Sequence, residues 1–331
     1  MNESLKGKVA IVTGSGQGIG KGIAVYLARQ GVKVITNNRK PGSGYLTKYK
    51  KEEMPESDWN EMIALAGDAE STAALIKAEG GEATACYGDI TDCQAAEKIV
   101  KFAVDTYGSI DILVNNAAGT GAGTIESCSE ENWENQIRPK MKGTFNLMHF
   151  AVPYMIKQGF GRIINASSEA WLGLVGQDAY SAANAGVVGL TWASAKELWR
   201  YGITVNVFCP QGASPAHAVE YNAMLRKVKA MTGKDPDPNL LKVVEHNHGD
   251  PVGIGPAIAF LCTEEASYIS GAVFSIYASG IVKLFSDPAP ISQISREAEK
   301  GLWTLEELEV AFREQLMGKD YVSPASKPQW G

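Results

Sequence analysis

The chain has 331 residues, of which 45% are hydrophobic and 21% are charged. This composition is typical of a globular protein and excludes a wholly disordered, collagen-like or coiled-coil chain. The formal net charge of −6 gives no bulk electrostatic reason to expect nucleic acid or an anionic membrane as a partner. A chain of this length is enough for one large domain or two.

The five cysteines are odd in number and include no C-x-x-C pair. This usage predicts structural thiols in a reduced, cytoplasmic protein. The first residues lead directly into a strand-like segment without an apolar stretch, so we expect no signal peptide. No window contains about 18 uninterrupted apolar residues, so we expect no membrane span.

Short β-branched segments alternate with longer amphipathic stretches along residues 1–285. Such alternation predicts an α/β fold with a single doubly wound parallel sheet and helices on both faces. The periodicity predicts the elements in this order: strand 9–12, helix 18–29, strand 32–36, helix 70–79, strand 83–87, helix 94–107, strand 110–114, helix 133–158, strand 162–165, helix 180–201, strand 204–208, helix 255–262 and strand 272–277.

Three segments depart from this alternation. Residues 40–68 form an insert after the second strand, and a segment of that length predicts either a functional cap or disorder. Residues 211–251 follow the sixth strand and are expected to build the substrate pocket. Residues 286–331 form a C-terminal extension, in which 304–316 has the capping box and apolar stripe of an amphipathic helix.

A glycine-rich turn connects the first predicted strand to the first predicted helix. It runs from Thr13 to Gly20 and has the spacing T-G-x-x-x-G-x-G. Glycines at these places allow a sharp turn that brings backbone N–H groups close to a pyrophosphate at the positive end of the helix. The turn and its flanking elements therefore predict a dinucleotide site.

Further motifs follow in an order that resembles the short-chain dehydrogenase/reductase family. They are Asp89 at the end of the third strand, Asn115-Asn116-Ala117-Ala118-Gly119 after the fourth, Ser167-Ser168 after the fifth, Tyr180 at the start of the next helix and Pro210 after the sixth strand. The resemblance covers about residues 5–280 and implies a Rossmann fold with a nicotinamide cofactor. The G-Q-x-x-Y-S-A-A stretch and the tail with Trp303 and Leu308 are similar to the hydroxyacyl-CoA dehydrogenase branch.

The end of the second strand bears on the choice of cofactor. An acidic residue there would accept a hydrogen bond from the 2′-hydroxyl of NAD and repel a phosphate. Residues 37–40 contain no carboxylate, and Arg39 could pair with a 2′-phosphate, which favours NADP(H), with NAD(H) as the alternative. The other interpretation of Arg39 and Lys40 is that both are solvated surface cations. The resemblance implies cofactor contacts from Gly14, Ser15, Gln17, Gly18, Ile19, Gly20, Asn38, Arg39, Asp89, Ile90, Asn116, Ala117, Ala118, Pro210, Gln211 and Gly212.

The resemblance also implies the catalytic residues. In the family a tyrosine is the general acid or base, a lysine lowers its pKa, a serine polarises the carbonyl and an asparagine shapes a proton relay. Tyr180 matches the tyrosine. Counting from the fifth strand selects Ser168 as the serine, whereas counting back from Tyr180 selects Ser167. We favour Ser168, because the end of the strand defines its position.

Two positions depart from the family pattern. The lysine is expected four residues after Tyr180, where the chain has Asn184, and the asparagine is expected three residues before Gly143, where it has Lys140. In one hypothesis the two residues have exchanged roles, so that Lys140 supplies the positive charge and Asn184 binds the ribose or a water. In the other the acid/base system is broken. A third interpretation makes Lys140 a solvated lysine beside Lys142.

We therefore expect an NAD(P)(H)-dependent oxidoreductase that interconverts a secondary alcohol and a ketone, such as a hydroxyacyl-CoA or another small carbonyl compound. The alternative is a catalytically impaired, nucleotide-binding partner subunit of an oxidoreductase complex. Apolar residues on more than one face of the predicted helices 133–158 and 180–201 predict a homodimer or homotetramer. His246 and His248 are too sparse for a zinc site, so we expect no metal.

Overall fold

The computed structural model describes residues 3–42, 50–119, 121–234, 237, 249–288, 290, 292–295 and 303–317. The chain divides into two units, Met1–Phe285 and Ser286–Gly331. The first unit contains the sheet and every candidate site residue. His246 and His248 lie outside the described residues.

The sheet confirms the predicted doubly wound α/β architecture. Its spatial order is β3-β2-β1-β4-β5-β6-β7-β8, with β1 to β7 parallel and β8 antiparallel to β7. The sheet order reverses between β1 and β4, and at such a switch point the strand ends leave a crevice that can receive a ligand. The strands are β1 Val9–Thr13, β2 Lys33–Asn38, β3 Ala83–Tyr87, β4 Ile112–Asn115, β5 Gly161–Ala166, β6 Ile203–Gln211, β7 Val273–Tyr277 and β8 Val282–Leu284.

Helices follow most strands, as parallel connections require. They are α1 Gly18–Arg29, α2 Glu56–Leu65, α3 Ala69–Ala78, α4 Cys93–Tyr107, α5 Glu130–Ile137, α6 Gly143–Gln158, α7 Asp178–Leu198, α8 Pro215–Thr232, α9 Gly255–Leu261 and α10 Leu305–Ala311. Shorter 3₁₀ turns cover Lys51–Glu53, Glu169–Leu172, Trp199–Tyr201 and Pro251–Ile254. None of the described helices combines the length and the apolar character needed to span a bilayer.

The two faces of the sheet follow from the alternation of side chains along β1. Val9 and Ile11 belong to the apolar cluster formed with α4 and α6. Ala10 and Val12 belong to the other cluster, formed with α1 and α3. Because successive strand residues point to opposite faces, a continuous apolar strand is buried on both sides.

The predicted helix over 133–158 is interrupted in the structure. A π-helical turn, Arg138–Lys142, separates α5 from α6. Pro139 has no N–H to donate, and its ring crowds the carbonyl four residues earlier, which favours a departure from regular α-helical hydrogen bonding at this turn. The widened turn contains Lys140, whose side chain is buried.

The C-terminal unit contains the predicted capped helix. Thr304 accepts a hydrogen bond from the Glu307 backbone N–H, and the Glu307 carboxylate accepts one from the Thr304 N–H. This reciprocal pair is the capping box expected from the sequence. A π-helical turn, Phe312–Leu316, continues the helix.

Candidate active site

The glycine-rich turn has the backbone conformations that its glycines predict. Gly14 and Gly18 have φ angles of +61° and +50°, a region in which a side chain is strained. A Cβ on Gly20 would collide with the Gly14 carbonyl oxygen. The turn is therefore as sharp as the close approach of a pyrophosphate requires.

Hydrogen bonds connect the end of β4 to this glycine-rich turn. The Asn116 side-chain amide donates to the Thr13 carbonyl at 3.0 Å, and the backbone N–H groups of Asn116 and Ala117 both donate to Thr13 Oγ1 at 3.0 Å. Ala118 follows directly in the chain. These bonds hold the ends of β1 and β4 together at the switch point of the sheet.

Two other strand ends, those of β3 and β6, lie at the same edge of the parallel sheet. At the end of β3, Asp89 accepts from the Thr91 N–H at 2.9 Å, and the Ile90 carbonyl accepts from Asn146 of α6 at 2.9 Å. At the end of β6, Pro210 and Gln211 lead into Gly212, where an added Cβ would lie 2.9 Å from Ile19 of α1. The structure thus brings the predicted cofactor residues of β3, β4 and β6 together.

Two residues of the turn have different surroundings. Ser15 is buried and its hydroxyl accepts from the Asn37 N–H at 2.9 Å, so its side chain fastens the turn to β2. The Gln17 amide oxygen is buried and has no hydrogen-bond partner among the described residues. A buried unpaired acceptor is costly in free energy, which fits a position completed by a bound ligand. The turn and Gln17 therefore fit a dinucleotide.

The end of β2 is covered by the returning insert. Arg39 is exposed, and Asn38 is half-buried. Asp68 is the N-cap of α3, and a Cβ added to Gly16 would lie 2.5 Å from the Asp68 Cα and would collide with Asn38 Oδ1. Asp68 therefore lies against both the glycine-rich turn and the end of β2.

The other end of the insert packs on the helix that follows β6. The Asp58 carboxylate on α2 is 2% exposed and pairs with Arg226 of α8 at 2.6 Å. Asn222 of α8 donates to Glu61 of α2 at 2.9 Å. Residues 50–68 are therefore a structured cap, whereas residues 43–49 lie outside the described part of the chain.

Tyr180 and Ser168 form the centre of the candidate catalytic site. Burial raises the pKa of the Tyr180 phenol, and hydrogen bonds with the Ser168 and Asn184 side chains oppose that shift. The Ser167 hydroxyl instead donates to the Asn184 carbonyl at 3.1 Å. The contact between the two hydroxyl groups favours Ser168 over Ser167 as the residue beside the tyrosine.

Asn184 is completely buried one helical turn after Tyr180. Its side-chain amide donates to the Tyr180 carbonyl at 2.8 Å. Its Oδ1 has no hydrogen-bond partner among the described residues. Asn184 thus offers an acceptor to a ligand hydroxyl or a water, but it cannot supply the positive charge of the family lysine.

Lys140 is 4% exposed, which rules out a solvated surface lysine. Burial lowers the pKa of its ammonium group from 10.5 to about 8, and the Cys209 thiol opposes that shift. Cys209 is itself completely buried at the end of β6. Burial raises the pKa of this thiol to about 12, while Lys140 and the Ser167 hydroxyl act to lower it.

The same thiol also acts electrostatically on Tyr180. Cys209 therefore lies near Lys140, Tyr180 and Ser167, whereas Lys140 is not among the groups that shift the pKa of Tyr180. The sequence patterns do not single out Cys209 or Asp68 as site residues. Cys209 directly precedes the cofactor residue Pro210, and Asp68 directly precedes a helix as an N-cap. These positions in the sequence are the signals by which the two residues could have been recognised as part of the site.

Comparisons with known proteins place the chain in one family. A family model described as short chain dehydrogenase matches residues 53–226. The (2S)-[(R)-hydroxy(phenyl)methyl]succinyl-CoA dehydrogenase subunit BbsD of Thauera aromatica is 32% identical over 286 residues, covering 85% of this chain and 99% of that protein. The hydroxyacyl-CoA dehydrogenase ChsB1 of Mycobacterium tuberculosis is 32% identical over 329 residues, covering 96% and 90%.

A solved structure supports the same relationship. The crystal structure of a short chain dehydrogenase from Mycobacterium avium superimposes with a TM-score of 0.71 at 30% identity, covering 92% of this chain and 93% of that one. The parallel sheet and its strand order agree with this match in fold. The chain therefore belongs to the short-chain dehydrogenase family and is an oxidoreductase of a family that uses NAD or NADP.

Proposed function

We propose that the protein interconverts a secondary alcohol and a ketone, with Tyr180 as the proton donor or acceptor and Ser168 as the residue that holds the carbonyl oxygen. The observation that carries this proposal is the burial of Lys140 beside Cys209, a thiol that also lies near Tyr180. A buried cation beside a neighbour of the predicted general acid supports the hypothesis that Lys140 has taken over the role of the family lysine.

A nicotinamide dinucleotide, when bound, supplies or accepts the hydride. In reduction, the Tyr180 phenol donates its proton to the carbonyl oxygen while the Ser168 hydroxyl donates a hydrogen bond to the same oxygen. In oxidation, the Tyr180 phenolate accepts the proton of the alcohol. The turn from Thr13 to Gly20, with Asn116 behind it, would hold the dinucleotide at the ends of β1 and β4.

The charge of Lys140 matters most for oxidation. A tyrosine with a pKa near 10 is about 0.1% phenolate at pH 7, and burial raises the pKa of Tyr180 further. A nearby positive charge stabilises the phenolate and lowers that pKa. Because burial lowers the pKa of Lys140 to about 8, the ammonium group is mostly charged at pH 7 and loses its proton above pH 8.

We propose an acyl-CoA thioester with a hydroxyl or keto group as the first substrate class to test. Two relatives that align over most of this chain are described as dehydrogenases of acyl-CoA compounds. The structured cap packs on α8, which follows β6 and its predicted cofactor residues. Other small carbonyl compounds are the second class.

The sequence predicts a preference for NADP(H) over NAD(H). This prediction depends on Arg39 and on the absence of a carboxylate at the end of β2. Arg39 is exposed in the structure. The position of the Asp68 carboxylate at that strand end weighs against the preference. NADP(H) use therefore stays a prediction of the sequence.

One observation favours the second candidate, an impaired partner subunit. The pKa of Tyr180 is raised, and the position that normally holds a lysine beside it is the neutral Asn184. If Lys140 does not reach the Tyr180 phenol, the protein would keep its nucleotide-binding fold but would not oxidise an alcohol at a useful rate. The relative from Thauera aromatica is described as a subunit of its dehydrogenase.

Turnover of a panel of hydroxyacyl-CoA thioesters and ketones with each nucleotide tests the proposal. We expect oxidation or reduction of at least one thioester, and Tyr180→Phe should lower its rate by about 100-fold or more while nucleotide binding is kept. Tyr154→Phe, at an exposed tyrosine of α6, is the matched control and should keep the rate. Tight nucleotide binding without turnover of any substrate would instead support the partner subunit.

A further inference from the structure

We propose that Asp68, which the insert brings back to the end of β2, determines the choice of nucleotide and selects NAD(H) over NADP(H). The inference rests on the proposed function, because it concerns the dinucleotide of the same site. It differs from the prediction made from the sequence, in which Arg39 selects NADP(H).

The position of Asp68 is defined by contacts on three sides. Next to it in α3, the Ala69 carbonyl accepts from Thr36 of β2 at 2.8 Å. An added Cβ on Gly16 would lie 2.5 Å from the Asp68 Cα, and one on Gly67 would lie 2.6 Å from the Gly16 carbonyl oxygen. Asp68 therefore lies between the glycine-rich turn and β2, where this type of fold receives the adenosine ribose.

The Asp68 carboxylate is held in a defined orientation. Its Oδ1 accepts from the Ser71 N–H at 3.0 Å, and its Oδ2 accepts from the Tyr87 hydroxyl at 3.0 Å and from the Gly42 N–H at 3.3 Å. An ionised carboxylate has about four acceptor positions, so this one keeps capacity for a further donor. A ribose 2′-hydroxyl is such a donor.

The carboxylate is also charged at neutral pH. The hydrogen bond from Ser71 is the largest of the effects that lower the pKa of Asp68, and those from Gly42 and Tyr87 add to it. A negative charge here repels a 2′-phosphate but accepts from a 2′-hydroxyl. The charge thus acts in the way that an acidic residue at the end of β2 normally does.

The space between the end of β2 and the glycine-rich turn is limited as well. Gly16 has no room for even one added carbon, because Asn38 and the Asp68 backbone are already in contact with it. A 2′-phosphate needs room for four more heavy atoms than the 2′-hydroxyl of NAD. Steric exclusion and charge repulsion therefore act in the same direction.

Titration calorimetry with NAD⁺ and NADP⁺ tests the inference without depending on turnover. The wild-type protein should bind NAD⁺ at least about 10-fold more tightly than NADP⁺. Asp68→Asn should lower that ratio about 10-fold or more, because asparagine keeps the N-cap and removes the charge. Asp68→Ser, which also keeps an N-cap, should lower it as well. Glu70→Gln removes an exposed carboxylate two residues away and should leave the ratio unchanged.

The outcomes distinguish this inference from the proposed function. A wild-type preference for NADP⁺, or an unchanged ratio in both Asp68 variants, would overturn the role of Asp68 and leave the oxidoreductase standing. Binding of neither nucleotide would overturn both. A lowered ratio in the two Asp68 variants but not in Glu70→Gln would support the inference.

Discussion

Lys140 has properties that a residue retained for stability alone would not have. Its ammonium group is almost completely buried, and burial lowers its pKa to about 8. Withdrawing a cation from water costs several kcal/mol before compensation, so an apolar side chain of similar length would suit the fold better. Such a cost in folding free energy is expected at a site where the buried charge takes part in catalysis.

Lys140→Met should therefore stabilise the folded protein at pH 7, by about 3–4 kcal/mol for a pKa shift of this size. Below pH 8 both the folded and the unfolded chain hold the proton, so the full cost of burial is present. Between pH 8 and 10.5 the folded protein releases the proton while the unfolded chain keeps it, so the wild type gains stability as the pH rises. The difference in the free energy of unfolding between Lys140→Met and the wild type should therefore become smaller between pH 8 and pH 10.5.

Urea denaturation of both proteins at pH 7 and pH 10 measures this difference. Lys142→Met, in the same turn but exposed, is the matched control and should change the free energy of unfolding little. A Lys140→Met variant that is less stable than the wild type at pH 7 would contradict the interpretation of Lys140 as a costly buried cation.

Individual residues differed in how far the sequence could predict them. Gly14, Gly18 and Tyr180 carry recognisable patterns, and the structure places them as those patterns indicate. The burial of Lys140 could not be predicted, because helical spacing alone does not show that Pro139 widens the turn. The position of Asp68 could not be predicted either, because 29 residues separate it from Arg39 along the chain.

At the scale of elements, the contact between the insert helix α2 and the helix α8 is the main addition to the parallel sheet. Asp58 is buried in this contact and pairs with Arg226, whose side chain is about half exposed. A buried carboxylate that loses its cation is strongly unfavourable. The pair therefore joins two helices that are far apart in sequence.

Arg226→Ala should loosen this contact, at a cost of about 1–3 kcal/mol because Arg226 is partly screened by solvent. Hydrogen exchange of α2 and α8 should become faster, while the strands of the sheet should exchange as before. Adding Asp58→Asn should recover part of the loss, because the unpaired charge is then gone. Lys227→Ala, at the exposed neighbour, should have no effect; equal exchange in Arg226→Ala and in the wild type would contradict the role of the pair.

Element prediction succeeded where burial made the pattern strong. β1, β2 and β5 are buried along all or most of their length and were predicted within one or two residues. β8, Val282–Leu284, was not predicted, because three exposed residues carry no periodicity. The interruption of the helix between α5 and α6 arises from Pro139, for which the sequence indicated only a kink.

At the scale of the whole molecule, an exposed apolar surface remains on α5, α6 and α7. It is lined by Ile137, Met141, Phe145, Gly186 and Leu190, and Phe145 is 51% exposed. These are the helices whose extra apolar faces predict a homodimer or homotetramer. A two-fold assembly would bury the same surface of both copies.

Phe145→Asp should weaken this assembly, because it places a charge in the centre of the apolar surface. Light scattering at micromolar concentration should find a dimer or tetramer for the wild type and a smaller species for the variant. Leu75→Asp, on α3 and similarly accessible, is the control. A monomeric wild type would contradict the prediction.

The fold as a whole could be predicted from the sequence because its strands, helices and glycine-rich turn follow local rules. The site could be predicted only in part. Its nucleotide-binding residues lie in local motifs, whereas the proximity of Cys209 to both Lys140 and Tyr180 involves residues from α7, β6 and the π-helical turn. Contacts between distant segments of this kind follow from the packing of the whole sheet.

The most direct test of the role of Lys140 is the pH dependence of the oxidation rate in two variants. One is Lys140→Met, and the other is the double exchange Lys140→Asn with Asn184→Lys. Lys140→Met should lower the oxidation rate by about 100-fold or more and raise the apparent pKa of the alkaline limb, because the Tyr180 phenolate loses its stabilising charge. The double exchange restores the family arrangement and should keep activity. An unchanged rate and pH profile in Lys140→Met would contradict the exchange of roles between Lys140 and Asn184.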